Sequence, residues 1–116
     1  MQGYHERATF NNEDAVKRVV RRILDYYKVF HFMPPANSYG KSGISDILAL
    51  SNGRFIAIEC KYKYNKPTAQ QLEYGKSVEE GGGLFVVVNE KNLPLILMRV
   101  LHFINTGIDP EDNDQL

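Results

Sequence analysis

The dipeptide Asn52-Gly53 sits between two apolar, β-rich runs, Asp46 to Leu50 and Phe55 to Tyr62. A two-residue type I′ turn needs positive φ at both central positions, and Asn-Gly meets that demand best. The pair therefore predicts a hairpin and fixes its register. Ser51 pairs with Arg54, every cross-strand pair sums to 105, and Asp46 falls directly opposite Glu59. Opposed residues share a face with Cβ atoms about 4.5 to 5.5 Å apart, where like charges repel. Something positive has to stand near them. Lys61 projects from the same face about 7 Å further along the strand, while Ile56, Ile58 and Cys60 point the other way. A three- or five-residue loop would instead put Asp46 opposite Ile58.

Local signals place the remaining elements. Asn11 or Asn12 caps a helix that opens with Glu13 and Asp14, acids well placed against the positive helix end. Val16, Val19, Val20, Ile23, Leu24 and Tyr27 follow at helical spacing, with Lys17, Arg18, Arg21 and Arg22 largely off that stripe. Val29 to Phe32 reads as a short strand ended by Pro34 and Pro35. Thr68 with Gln71 forms a capping box for a helix from Ala69 to Glu80, which Gly81-Gly82-Gly83 ends. Leu84 to Val88 is a strand apolar on both faces, and Leu93 to Asn105 a third helix with Gly107 past its end. The order αβββαβα with apolar strands predicts an α/β fold, a sheet flanked by helices.

A chain of 116 residues, 43% hydrophobic and 24% charged, is expected to form one domain with one core. We read 1–108 as that domain and 109–116 as an acidic tail. The formal net charge is zero, which as a total argues against a polyanion-binding protein. The total hides a gradient. Asp109, Glu111, Asp112 and Asp114 crowd the last eight residues, whereas Lys17 to Lys66 holds ten basic residues against three acids. The body is basic and the tail acidic. The single cysteine, Cys60, excludes an intrachain disulfide and a Cys-cluster zinc site. The N-terminal twelve residues lack a signal-peptide pattern. The longest apolar stretch, Leu93 to Ile104, is too short to span a membrane and contains Arg99 and His102. A cytosolic protein without a membrane partner is the expectation.

Two readings fit the opposed acids. In one, Asp46 and Glu59, with the Cys60 carbonyl and waters, hold a hard divalent cation, Mg²⁺ or Mn²⁺ rather than zinc. Such an ion acidifies water and stabilises charge on a phosphoryl group, and Lys61 orients the nucleophile. In the other, Lys61 neutralises one acid in a cross-strand salt bridge, which leaves the second acid without a partner.

Gly43-Ile44-Ser45-Asp46, a short hairpin, then Ile58-Glu59-Cys60-Lys61 resembles the signature of the PD-(D/E)XK nuclease superfamily, with Ser45 where the signature has proline. Thr68-Ala69-Gln70-Gln71 and the glycine run before an apolar strand resemble its VRR-NUC branch, the virus-type replication-repair nucleases. That branch carries a Gln at the start of the helix after the active-site strand and an acidic residue early in the first helix, here Glu13. The resemblance covers roughly Asn12 to Val88 and implies a restriction-endonuclease-like fold. It implies that Asp46, Glu59 and the Cys60 carbonyl bind metal, with Glu13 an outer ligand through water. Lys61 would position the attacking water, and Gln71 would support Lys61 or a phosphate. Without the resemblance, Glu13 serves the helix dipole and Gln71 the capping box.

Lys17, Arg18, Arg21, Arg22, Lys41, Lys63 and Lys66 would contact the phosphate backbone. Tyr62 and Tyr64 alternate with the lysines and face away from the acids, toward packing. Gly40-Lys41-Ser42 lacks the first glycine of a nucleotide-binding loop, so no nucleotide cofactor is expected. His5, His31 and His102 are too scattered to form a site. The third helix is apolar almost all round, which points to a homodimer interface, as in the junction resolvases that single-domain viral members resemble. The expected activity is a metal-dependent endonuclease on branched DNA such as four-way junctions, acting in the host cytosol if phage-encoded. The alternatives are a restriction-type or general phage nuclease on the same fold and a non-catalytic DNA-binding or assembly protein.

Overall fold

In a computed structural model of the chain, residues 9–35 and 43–107 are described. Lys41 and the acidic tail lie outside the described residues. The elements follow the expected order: α1 (Glu13–Tyr26), β1 (Phe30–Phe32), β2 (Ile47–Ser51), β3 (Arg54–Cys60), α2 (Ala69–Glu80), β4 (Leu84–Val88) and α3 (Leu95–Thr106). They form an α/β fold with a four-stranded mixed sheet, β1-β2-β3-β4, in which only β3 and β4 run parallel. Helix α2 makes that parallel crossover, because two strands pointing the same way cannot be joined by a tight turn.

The hairpin is the one its dipeptide demands. Asn52 and Gly53 have φ of 48° and 76°, and Ile47 pairs with Ile58 through to Ser51 with Arg54. One sheet face carries Ile47, Ala49, Ile56, Ile58, Cys60, Val86 and Val88, all buried in one cluster with Val16, Val19, Val20, Ile23 and Leu24 of α1 and Leu97 and Leu101 of α3. Each Val, Leu or Ile side chain among them contributes about 1.5 to 3 kcal/mol by leaving water, so this layer holds the sheet against α1 and α3. On the opposite face α2 packs on β3 and β4. Gly75 admits it there: a Cβ at Gly75 would lie 2.4 Å from the Phe85 ring.

Both helix starts form as the sequence dictates. The Asn12 side chain accepts the Ala15 N–H at 2.8 Å, and Thr68 and Gln71 satisfy each other's backbone N–H groups at 3.1 and 2.8 Å. Helix α3 begins two residues later than expected, at Leu95. The preceding segment is held as a turn by the Asn89 and Asn92 side chains, which accept backbone N–H groups at 2.8 to 3.0 Å. Gly43, with φ +78°, packs its backbone against the start of α2, where a Cβ would lie 2.6 Å from the Gln70 carbonyl oxygen. Among the described residues, no helix is long and apolar enough to cross a membrane.

Candidate active site

Strand β3 lies between β2 and β4 and is buried on both faces from Ile56 onward, so Glu59 has to sit inside the molecule. It is 1% exposed. Asp46 stands one residue before β2, and the register continues to place it opposite Glu59. Its Oδ2 accepts the Cys60 backbone N–H at 2.8 Å, so the acid closes the end of the ladder in place of a carbonyl. Lys61 follows β3, anchored by its N–H to the Val88 carbonyl at 2.9 Å, and its Nζ lies 3.5 Å from Glu59 Oε1.

A second cation joins this group. Lys17 of α1 turns inward, its Nζ 3.5 Å from Asp46 Oδ1 and 3.9 Å from Asp14. The sequence grouped Lys17 with the phosphate-contacting residues, and its salt-bridge reading left the second carboxylate without a partner; the structure sets the Lys17 ammonium beside that second carboxylate, Asp46. Lys17 is one position past Val16 on the stripe that docks on the sheet, close enough to its edge to reach over the strand end. Burial works against its ammonium, but the charges of Asp46, Glu13 and Asp14 outweigh it and raise its pKa.

Charge balance is nevertheless incomplete at Glu59. Burial, and then the charge of Asp46, push its carboxyl up to about 7, against the opposing pull of Lys61. Its Oε2 is buried with no hydrogen-bond partner, as is the Oγ of Ser45, the residue before Asp46. An orphaned carboxylate oxygen beside a second carboxylate suits a hard cation. Among the described residues no group of three or more His, Cys, Asp and Glu side chains could hold a metal. A bound ion would thus rest on two carboxylates, a backbone carbonyl and waters. That donor set fits Mg²⁺ or Mn²⁺, which keep several waters, and disfavours zinc. The Cys60 thiol faces the core and is held protonated by burial and by the charges of Asp46 and Glu59, which leaves it inert.

A cleft of about 280 Å³ opens beside Asp46, lined by Lys17, Met33, Pro34, Pro35, Gly43 and Gln71 among others. Gln71 therefore serves the capping box and also faces the cleft. Glu13 is half-buried at the first position of α1, with its charge felt at Lys17 and Cys60. Arg18, Arg21, Arg22, Lys63 and Lys66 are exposed. The Lys63 N–H is held by Glu90 at 2.9 Å and its ammonium lies 5.5 Å from the Tyr62 ring centre. Tyr62 packs on the core as expected, whereas Tyr64 is exposed under Lys91, which stands 5.6 Å from its ring centre. No protein-family model, curated protein or solved structure matches the chain.

Proposed function

We propose that the chain is a divalent-metal-dependent endodeoxyribonuclease with the PD-(D/E)XK fold, of the VRR-NUC kind, hydrolysing phosphodiester bonds in branched DNA as a junction resolvase does. The observation that carries this reading is the opposed pair Asp46 and Glu59, one oxygen of it orphaned, with Lys61 3.5 Å from Glu59. Asp46, Glu59 and the Cys60 carbonyl would hold Mg²⁺ or Mn²⁺, with Glu13 acting through water. A bound ion supplies Lewis-acid charge for the phosphoryl group and acidifies water. Lys61 orients the attacking water from the Glu59 side, and Gln71 steadies Lys61 or a phosphate from the cleft wall. Arg18, Arg21, Arg22, Lys63 and Lys66 supply backbone contacts.

A homodimer accompanies this reading, since two sites related by a two-fold axis suit two opposed strands. It is supported by α3, which buries Leu97 and Leu101 but leaves Leu95 and Phe103 exposed beside a shallow apolar depression of about 250 Å³. Light scattering should give a dimer mass for the natural chain and a monomer mass when Leu95 and Phe103 are both replaced by Glu.

The deciding assay incubates the protein with a labelled four-way junction and a linear duplex of the same sequence, in Mg²⁺, Mn²⁺ or EDTA. Junction cleavage in either metal and none in EDTA is expected. Equal cleavage of the linear duplex would assign a general nuclease on the same fold. A second reading draws on Lys17: with Lys17 on Asp46 and Lys61 on Glu59, the quartet is also a buried salt-bridge network. Binding of DNA without cleavage in any metal would favour that non-catalytic protein.

A further inference from the structure

Among the described residues, the sheet face that carries Glu59 is covered by a helix over only half its width. By register this face holds Phe30 and Phe32 of β1, Leu48 and Leu50 of β2, and Phe55 and Ala57 of β3. Helix α2 packs on β3 and β4, and among the described residues no helix packs on the β1 side of this face. Phe30 is 68% exposed, Phe32 and Leu50 48% each, and Phe55 39%. An antiparallel sheet facing water ordinarily alternates apolar inward with polar outward. Here the outward positions are phenyl and leucyl, and the two rows contain no ionisable side chain. A contiguous exposed apolar surface of this kind marks a binding site.

Its position identifies the occupant. Phe30, Leu50 and Phe55 form one cross-strand row, Phe32, Leu48 and Ala57 the next, and Asp46 with Glu59 continue the series on the same face. At about 3.3 Å per residue, the first row lies roughly 13 Å and the second roughly 7 Å from the carboxylates. From Phe32 the chain passes through Met33, Pro34 and Pro35, which line the cleft beside Asp46, so the aromatic strip runs into the candidate site without a break. The Phe30 and Phe32 ring centres are 6.4 Å apart and their planes differ by 57°. Tilted in this way, the two rings do not stack on each other, and each offers a face of its own. Aromatic side chains on an open sheet face are a general platform for unpaired bases, whereas bases inside a duplex cannot reach them.

We propose that the open half of this face, Phe30 and Phe32 above all, stacks unpaired bases adjoining the phosphate held at Asp46 and Glu59. This deepens the nuclease reading and rests on it for the position of the cut: the substrate is DNA with a single-stranded or splayed segment next to the scissile bond. Base stacking needs no metal and no catalysis, so it is measured apart from cleavage.

The 116-residue chain contains no tryptophan, which makes Phe30→Trp a reporter that keeps an aromatic ring. In EDTA, a thymidine oligonucleotide should quench that tryptophan, and a sugar-phosphate strand of equal length without bases should not. By fluorescence anisotropy, Phe30→Ala and Phe32→Ala should each weaken oligonucleotide binding by about five- to a hundredfold, with binding restored by Phe30→Trp. Quenching by the baseless strand, or unchanged affinity in both alanine variants, overturns the platform. So does a change of mass by light scattering with strand affinity intact, which would assign the face to a second copy of the chain. Absence of cleavage together with stacking that obeys these expectations overturns the nuclease reading alone.

Discussion

Asp46→Asn should reduce metal-dependent junction cleavage by at least about a hundredfold while leaving the fold standing. The amide keeps an oxygen for the Cys60 N–H, which Asp46 Oδ2 now accepts at 2.8 Å, so the end of the ladder stays closed. What is lost is one of the two charges that would attract a cation. Lys61→Ala should cost about a hundred- to ten-thousandfold, the range for removing a group that orients or moves a proton. Lys17→Ala should cost less, about ten- to a hundredfold, because Lys17 touches Asp46 at 3.5 Å and acts through it. The graded order, with melting temperatures within a few degrees of the natural protein, separates a catalytic quartet from a structural one. Equal losses of stability and activity in all three variants would indicate a salt-bridge network.

In the absence of metal, Glu59→Gln should melt at a higher temperature than the natural protein above pH 7, and the advantage should vanish below pH 4.5. Glu59 titrates about 7 in the folded state, against its ordinary 4.5. Between these values the folded chain holds a proton that the unfolded chain has released, so stability falls as pH rises across the interval. It is the reverse of a salt-bridged carboxylate, whose contribution grows with pH. The effect is of order a few kcal/mol, and each kcal/mol moves the melting temperature of a domain of this size by about 4 to 8 °C. Gln fills the same space and carries no charge to bury. Adding Mn²⁺ at pH 8 should raise the melting temperature of the natural protein by mass action and leave Glu59→Gln unmoved. Identical pH profiles for the two proteins in EDTA would mean that Glu59 pays no burial penalty.

The parts of this molecule that could be read from its sequence are those set by neighbours in the chain. Asn52-Gly53 imposes a turn, the turn imposes a register, and the register sets Asp46 against Glu59. Thr68 and Gln71 fix the start of α2 from three residues apart. Lys17 escaped because its partner is 29 residues away, and only the docking of α1 on the sheet decides whether a residue beside the apolar stripe points outward or over the strand end. Phe30 and Phe32 escaped for a similar reason. Alternating apolar residues predict a strand, but their exposure follows from α2 covering β3 and β4 and stopping short of β1. The unbroken apolar pattern of α3 gave its existence, while the depth of each face depended on the sheet beneath it.

The close approach of Gly43 to the Gln70 carbonyl ties the segment leading into Asp46 to the first turn of α2, backbone against backbone. One wall of the cleft, carrying Asp46 and Gln71, thus behaves as a fixed jaw whose width no side-chain rotation can change. The opposite wall is Met33, Pro34 and Pro35, which follow the end of β1. On the proposed reading, a strand entering the cleft would pass between this anchored wall and the side on which the exposed Phe30 and Phe32 rings stand.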